Sequence, residues 1–285
     1  MSVIRYETPV QFKEAVFPFL LHDEAVHNIQ LGVIADWLNV PDRYDEAYLA
    51  AIQVDGQVVG SAMMTLPHPL QLSLMNQDAI ELLIAHIRRE YPRIPAVGGP
   101  VNVASAFAHR WCDVSGQKRK LTMGMSQRVY ELTAVQPGRP VVGMARQATS
   151  SDVSLLADWI IDFNDEAMGH QWGHDQAVQF VERRISTPTS MLYVWEVDGQ
   201  PVSMCGVSGP TENGIRVNAV YTPPDQRGRG YASANVAAVS QMMLDSGRRY
   251  CFLYTDLANP TSNSIYQKIG YRPVTDMSMI AFEGD

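Results

Sequence analysis

The chain has 285 residues, 46% of them hydrophobic, which suits a globular protein with room for two domains. Lys and Arg number 22 against 30 Asp and Glu, so the formal net charge of −8 argues against nucleic acid as a partner. No apolar run approaches the ~20 residues of a membrane span, and three cysteines without paired spacing (Cys112, Cys205, Cys251) point to free thiols in a reducing compartment.

The opening stretch MSVIRYETPVQFKEAVFPFLLHDE lacks the order of a secretory signal, since acidic and polar residues precede a short apolar run. A cytoplasmic location is therefore expected. Next, the strand-like runs YLAAIQ and GSAMMT flank Val54-Asp55-Gly56-Gln57-Val58-Val59, where Asp-Gly signals a type I′ hairpin. The strand PLQLSLM then leads almost directly into a helix capped at Asp78, whose Ala79, Ile80, Leu83, Ile84 and Ile87 form one apolar stripe. The loop-like run Gln136-Pro137-Gly138-Arg139-Pro140 places a boundary between residues 1–138 and 139–285.

After that boundary the hairpin recurs: LYVWE and SMCGVS flank Val197-Asp198-Gly199-Gln200-Pro201-Val202. Helix-like segments precede both hairpins, and strand, helix and strand follow both, so the chain reads as two copies of one fold in tandem. Trp111, Trp159, Trp172 and Trp195 are read first as core residues, with an acceptor pocket as the alternative use.

The copies differ in one segment. The β-rich run VNAVYTPP feeds the turn Asp225-Gln226-Arg227-Gly228-Arg229-Gly230-Tyr231-Ala232, which opens into a helix with Ala232, Val236, Val239 and Met243 on one stripe. Gly247 stands where a left-handed cap ends that helix, and Tyr250-Cys251-Phe252-Leu253-Tyr254-Thr255 has the make-up of a strand parallel to the first. Unsatisfied N–H groups and the helix dipole make such a turn a cradle for phosphate, and glycine lets the backbone approach the anion. A Rossmann site fits poorly, because the third glycine of its fingerprint is Ser233 here and Pro223 to Arg227 separate the strand from the first glycine. That also weighs against a nicotinamide-dependent oxidoreductase. In the first half no glycine lies between Ser61 and Val97, and Asn102-Val103-Ala104-Ser105-Ala106 only faintly echoes the segment after residue 258.

Arg227-x-x-Gly230-x-Ala232 resembles the Gln/Arg-x-x-Gly-x-Gly/Ala signature of the GNAT superfamily of N-acetyltransferases. Downstream, the run Asn259 to Tyr271 (NPTSNSIYQKIGY) is similar to that family's Asn-x-x-Ala/Ser-x-x-x-Tyr-x-x-x-Gly-Phe/Tyr segment, and the resemblance covers roughly residues 145 to 282. It implies an α/β (α+β) fold of two tandem GNAT-like domains, each a mixed, mostly antiparallel sheet flanked by helices. Residues 1–138 would be a degenerate copy without the coenzyme A loop, and 139–285 the catalytic domain.

By the same resemblance, the main chain of Arg227, Gly228, Arg229, Gly230, Tyr231 and Ala232 would hold the pyrophosphate of acetyl-CoA. Val220, Tyr221 and Thr222, at the end of the preceding strand, would line the pantetheine arm in a gap between splayed parallel strands, with backbone groups of Val220 and Thr222 offered to it. Asn259 and Ser262 would contact the cofactor, and Tyr266 would be the general acid beside the thioester sulfur. A tyrosine can donate a proton to a thiolate whose conjugate acid has a pKa of about 8.5; the alternative is a core or rim aromatic on a helix, and the spacing of seven residues from Asn259, which puts both on one face, favours the acid. The implied reaction moves an acetyl group to a small-molecule or peptide amine, the alternative being a regulatory module that binds coenzyme A without turnover.

No general base is assigned. Asp165, Glu166 and His170 can equally be a solvated helix face, and Glu212 a loop residue. Glu166, His170 and His174 stand four apart, yet Gly169 and Gly173 interrupt any helix there and no fourth ligand cluster is in view, so no metal is expected.

Overall fold

The protein was analysed as a computed structural model that describes residues 1–120, 125–169 and 171–283. It divides into two compact units that are not consecutive along the chain. The first comprises Met1–Tyr130, Tyr254–Pro260 and Pro273–Asp285, and the second Glu131–Leu253 and Thr261–Arg272. The boundary expected near residue 138 assigned every later residue to the second half, whereas the C-terminal strand belongs to the first unit.

In the first unit, β1 (Ser2–Tyr6) is followed by α1 (Pro9–His22) and α2 (Glu24–Asn39). Thr8 starts α1 by accepting from the Gln11 N–H at 3.3 Å, with Pro9 in the first helical position, where its missing N–H costs nothing. Then come β2 (Ala47–Val54), β3 (Gln57–Thr65), β4 (Leu70–Leu72), α3 (Gln77–Glu90), β5 (Ala96–Pro100) and α4 (Val101–Ser115). Strand β6 (Met125–Leu132) begins in this unit, and β12 (Arg272–Ala281) pairs antiparallel with β5, from Met277↔Pro100 to Ala281↔Ala96. The sheet order is β1-β2-β3-β4-β5-β12-β6, with β4 and β5 parallel. Its core on one face gathers Tyr48, Ile52 and Met64 from the hairpin, the α3 stripe Ala79, Ile80, Leu83, Ile84 and Ile87, and Phe107, Trp111 and Phe282. Helices α1 and α2 bury Phe12, Val16, Leu20, Leu31 and Ile34 against Leu49, Ala51 and Met63, the alternate residues of the same strands.

In the second unit, β7 (Met144–Gln147), α5 (Val153–Met168), α6 (His174–Ser186), β8 (Met191–Val197), β9 (Gln200–Ser208), β10 (Gly214–Tyr221) and α7 (Tyr231–Asp245) follow one another, with the first part of β11 (Tyr250–Asp256), up to Leu253, and α8 (Pro260–Ile269) from Thr261 on. A capping box of Thr149 and Asp152 precedes α5, and Arg146 binds the same Asp152 carboxylate at 2.8 and 2.9 Å, which holds it below its ordinary pKa. The strand order β11-β10-β9-β8-β7 repeats that of β5-β4-β3-β2-β1, again with one parallel pair. Met204 packs with Leu156 and Ile160 of α5 and Ala177 and Val181 of α6, while the preceding Ser203 meets Asn235 of α7, so helices cover both faces.

Both hairpins carry the expected turn. Asp55 and Gly56 have φ of +49° and +80°, Asp198 and Gly199 +50° and +77°. Each also has a register irregularity at the same offset from the turn, between Ile52 and Gln53 and between Trp195 and Glu196. The repeat therefore reaches down to a matched bulge. Trp111, Trp159 and Trp195 are buried and Trp172 packs edge-on against Phe180, as core residues do. Among the described residues no helix is long and apolar enough to cross a membrane.

Candidate functional site

Strand β10 is paired with β11 in parallel only at Gly214↔Tyr250, Ile215↔Cys251 and Arg216↔Phe252. Beyond Arg216 it follows β9 instead, and there the register breaks between Asn218 and Tyr221, where Ala219 takes φ +48°. A non-glycine residue in that region marks a local distortion. Val220 takes part in neither the β9 nor the β11 pairing. Tyr221 instead points into the core beside Trp159, and the Thr222 hydroxyl donates to Ser203 Oγ at 2.9 Å, which in turn donates to the Tyr221 carbonyl at 3.0 Å.

The turn follows at once. Residues Pro224–Gln226 form one 3-10 turn, then Gly228 and Gly230 adopt φ of +77° and +85°. The first N–H engaged in the α7 ladder is that of Ala234, donating to Gly230 O at 3.0 Å. The N–H groups of Tyr231, Ala232 and Ser233 precede it, and no side chain caps them. A Cβ on Gly228 would meet no atom within 4 Å, whereas one on Gly230 would lie 3.3 Å from Val141 Cγ2. Uncapped helical N–H groups next to an open glycine are a fit to an anionic diphosphate. The helix ends as its sequence expects: Gly247 has φ +98°, and the Arg248 N–H returns to Met243 O.

Arg227 does not extend toward solvent phosphate. Its Nε donates to Thr222 O at 2.8 Å, its Nη2 to both Glu166 carboxylate oxygens at 2.9 and 2.7 Å, and its guanidinium lies 5.6 Å over the Tyr221 ring. Tyr221 Oη lies 3.3 Å from Asp162 Oδ2 and 3.4 Å from Glu166 Oε1, and burial, then these two carboxylates, push its pKa up to about 12. Asp162 escaped the sequence reading, although it stands one helical turn before Glu166 and shares its face. Arg229 is exposed, with Nη2 3.4 Å from Asp225 O.

Helix α8 carries Ser262 and Tyr266. Tyr266 is partly buried and packs edge-on against Tyr271 at 6.0 Å. Burial, and then the nearby Cys205 thiol, raise its pKa above the ordinary tyrosine value, so it stays protonated at neutral pH. Gly270, φ +113°, ends α8, and a Cβ there would lie 2.7 Å from Ala134 O, so glycine is required. Asn259 belongs to the segment Tyr254–Pro260 of the first unit, where its N–H donates to Asp256 O at 3.0 Å. The second unit thus brings together the β10 end, the glycine turn and the start of α7.

The other base candidates are dispersed. Asp165 is exposed near the end of α5, Glu212 is exposed in the turn Thr211–Gly214, and His170 lies outside the described residues. His174 Nδ1 is 3.7 Å from Asp158, and Gly169 and Gly173 do bound the two helices. No group of three His, Cys, Asp or Glu able to hold a metal occurs among the described residues.

The first unit fills the matching place with its own atoms. Helix α3 is capped by Asn76 rather than by Asp78; its Oδ1 accepts the Ala79 N–H at 2.9 Å, occupying the spot an anion would take. Ser73 stays bonded to Ser61 by two hydrogen bonds, at 3.0 and 2.8 Å, so β4 does not leave β3. The Gln71 amide lies over Gly98, where a Cβ would meet its Nε2 at 2.9 Å.

Comparison with known proteins agrees with this geometry. Residues 156–271 match the acetyltransferase (GNAT) family model. A GCN5-related N-acetyltransferase from Sphaerobacter thermophilus is 17% identical with a TM-score of 0.60, covering 98% of this chain and 94% of that one. A GNAT-family acetyltransferase from Colwellia psychrerythraea is 12% identical with a TM-score of 0.57, over 99% and 100% of the two chains. A tandem GNAT protein from the clavulanic acid biosynthesis pathway, solved without acetyl-CoA, is 11% identical with a TM-score of 0.58, over 100% and 99%. No curated protein sequence matches the chain. At such identities the structural likeness speaks for the fold alone: the chain has the fold of tandem GNAT proteins, and its residues 156–271 match the acetyltransferase (GNAT) family.

Proposed function

We propose that the chain is a cytoplasmic acetyl-CoA-dependent N-acetyltransferase, with its active centre in the 139–285 half. The observation that carries this reading is the uncapped glycine turn at the start of α7 beside the point where β10 parts from β11. That pairing suits a ligand with a diphosphate at one end and a thin polar arm at the other. The main chain from Arg227 to Ala232 holds the diphosphate, with Val220 and Thr222 along the arm and Ser262 as a further contact. Tyr221 contributes its main chain only, its ring being committed to the core.

Acetyl-CoA supplies the acyl group as a thioester. A backbone N–H at the β10 end polarises the carbonyl, and Tyr266 delivers its hydroxyl proton to the sulfur as the C–S bond breaks and the C–N bond forms. The tyrosine then regains a proton from the acylated nitrogen. A hydroxyl raised in pKa remains available as a donor, and the same dry surroundings make a thiolate more basic and readier to accept. The acceptor is a small-molecule or peptide amine, attacking in its neutral form within a ternary complex; proximity supplies much of the rate.

The test is acetyl-CoA binding by calorimetry, followed by release of free thiol across a panel of polyamines, amino acids and peptide N-termini. Binding with thiol release on at least one amine is the expected outcome. Binding with no release on any amine leaves a regulatory coenzyme A module, and no binding rejects the reading.

A further inference from the structure

Glu166 occupies an awkward place for a carboxylate. It stands in the last turn of α5 beside Asp165 and one turn after Asp162, in a helix end without a basic residue. Carboxylates there face the negative pole of the helix dipole, and the pair Asp162 and Glu166 repel each other at i, i+4. Helix α5 gains nothing locally from this arrangement. One side chain from another element answers the charge: Arg227, the first residue of the glycine turn, binds both Glu166 oxygens through Nη2 and the Thr222 carbonyl through Nε.

Three contacts on one guanidinium join three elements. Thr222 directly follows β10, Arg227 opens the turn, and Glu166 belongs to α5, which itself packs on β10. The planar fork of arginine fixes direction as well as distance. Both Glu166 oxygens are engaged by a group that does not release its proton.

We propose that Glu166 is a positioning residue: through Arg227 it braces the turn Arg227–Ala232 against the end of β10, in the shape that receives the diphosphate. The proposal rests on the acetyl-CoA reading above and assigns a determinant of its affinity. Arg227 thus contributes its side chain to the brace, while its own N–H is directed at Pro224 O at 3.4 Å.

The test measures acetyl-CoA affinity by calorimetry for the intact protein and for Glu166→Arg, Arg227→Glu and the doubly exchanged variant, with amide hydrogen exchange of the segment 223–232 in each. For a half-exposed pair, each single variant is expected to bind about fivefold more weakly and to exchange faster in that segment. The exchanged pair is expected to recover most of both losses, which two independent structural defects would not do. Single variants that keep wild-type affinity and exchange, or a double variant in which the losses add, overturn the brace. If the intact protein does not bind acetyl-CoA, the functional reading fails separately, and the exchange rates alone still decide whether Glu166 holds the turn.

Discussion

At the scale of single residues, chemistry and burial divide the labour. Tyr266 and Tyr271 lie 6.0 Å apart and both have raised pKa values, but the Tyr271 hydroxyl is spent on Ser240 at 2.8 Å, in the fully buried interior. Tyr266 is the donor in the proposed reaction. Tyr266→Phe is expected to lower kcat by one to two orders of magnitude with little change in acetyl-CoA affinity, the range of a lost general acid. Single-turnover thiol release measures the chemical step directly, and an unaltered rate would remove Tyr266 from the reaction. Cys205 and Cys251 are buried, with thiol pKa values pushed up to about 12 by burial, and are inert packing residues in the unmodified fold.

At the scale of elements, the glycine turn is set by backbone conformation. Gly228 and Gly230 both need positive φ, yet only Gly230 faces a neighbour, Val141 Cγ2 at 3.3 Å. Gly228→Ala is expected to cost about 1–2 kcal/mol, the strain of a left-handed alanine alone. Gly230→Ala adds crowding against Val141 and is expected to cost more. Denaturant midpoints rank the two, and equal costs would show that Val141 yields freely. The contrast with α3 makes the same point: a side-chain cap from Asn76 closes one helix start, and two glycines leave the other open. Asp-Gly placed both hairpin turns in the sequence because positive φ is a local property. The end of the β10–β11 pairing at Arg216 was legible only through family resemblance, because no turn residue announces it.

At the scale of the whole molecule, the two compact units share strand order and hairpin geometry but not chain continuity. The last strand, β12, completes the first unit, and Phe282 just beyond it packs on Trp111 at 6.4 Å within that core. Removal of residues 273–285 uncovers the β5 edge, an invitation to intermolecular pairing. The shortened chain is expected to aggregate, and Phe282→Ala in the full chain to lose about 3–5 kcal/mol. Size-exclusion chromatography and denaturant unfolding read these effects, and a monomeric, fully stable shortened chain would contradict the assignment of β12 to the first core.

Local signals in the sequence determined the elements that depend on local rules: the paired Asp-Gly hairpins, the apolar stripes of α3 and α7, the cap at Gly247, and the turn that opens α7. Each follows from conformational preference or from hydrophobic spacing within a few residues. Tertiary structure decided what depends on partners distant in the chain. It brought Arg227 onto Glu166, 61 residues away. It turned the Tyr221 ring toward Asp162 and the core, and joined residues 273–285 to the first unit. Spacing along a chain records which residues share a face; which faces meet is settled only when burial and charge pairing act on the folded whole.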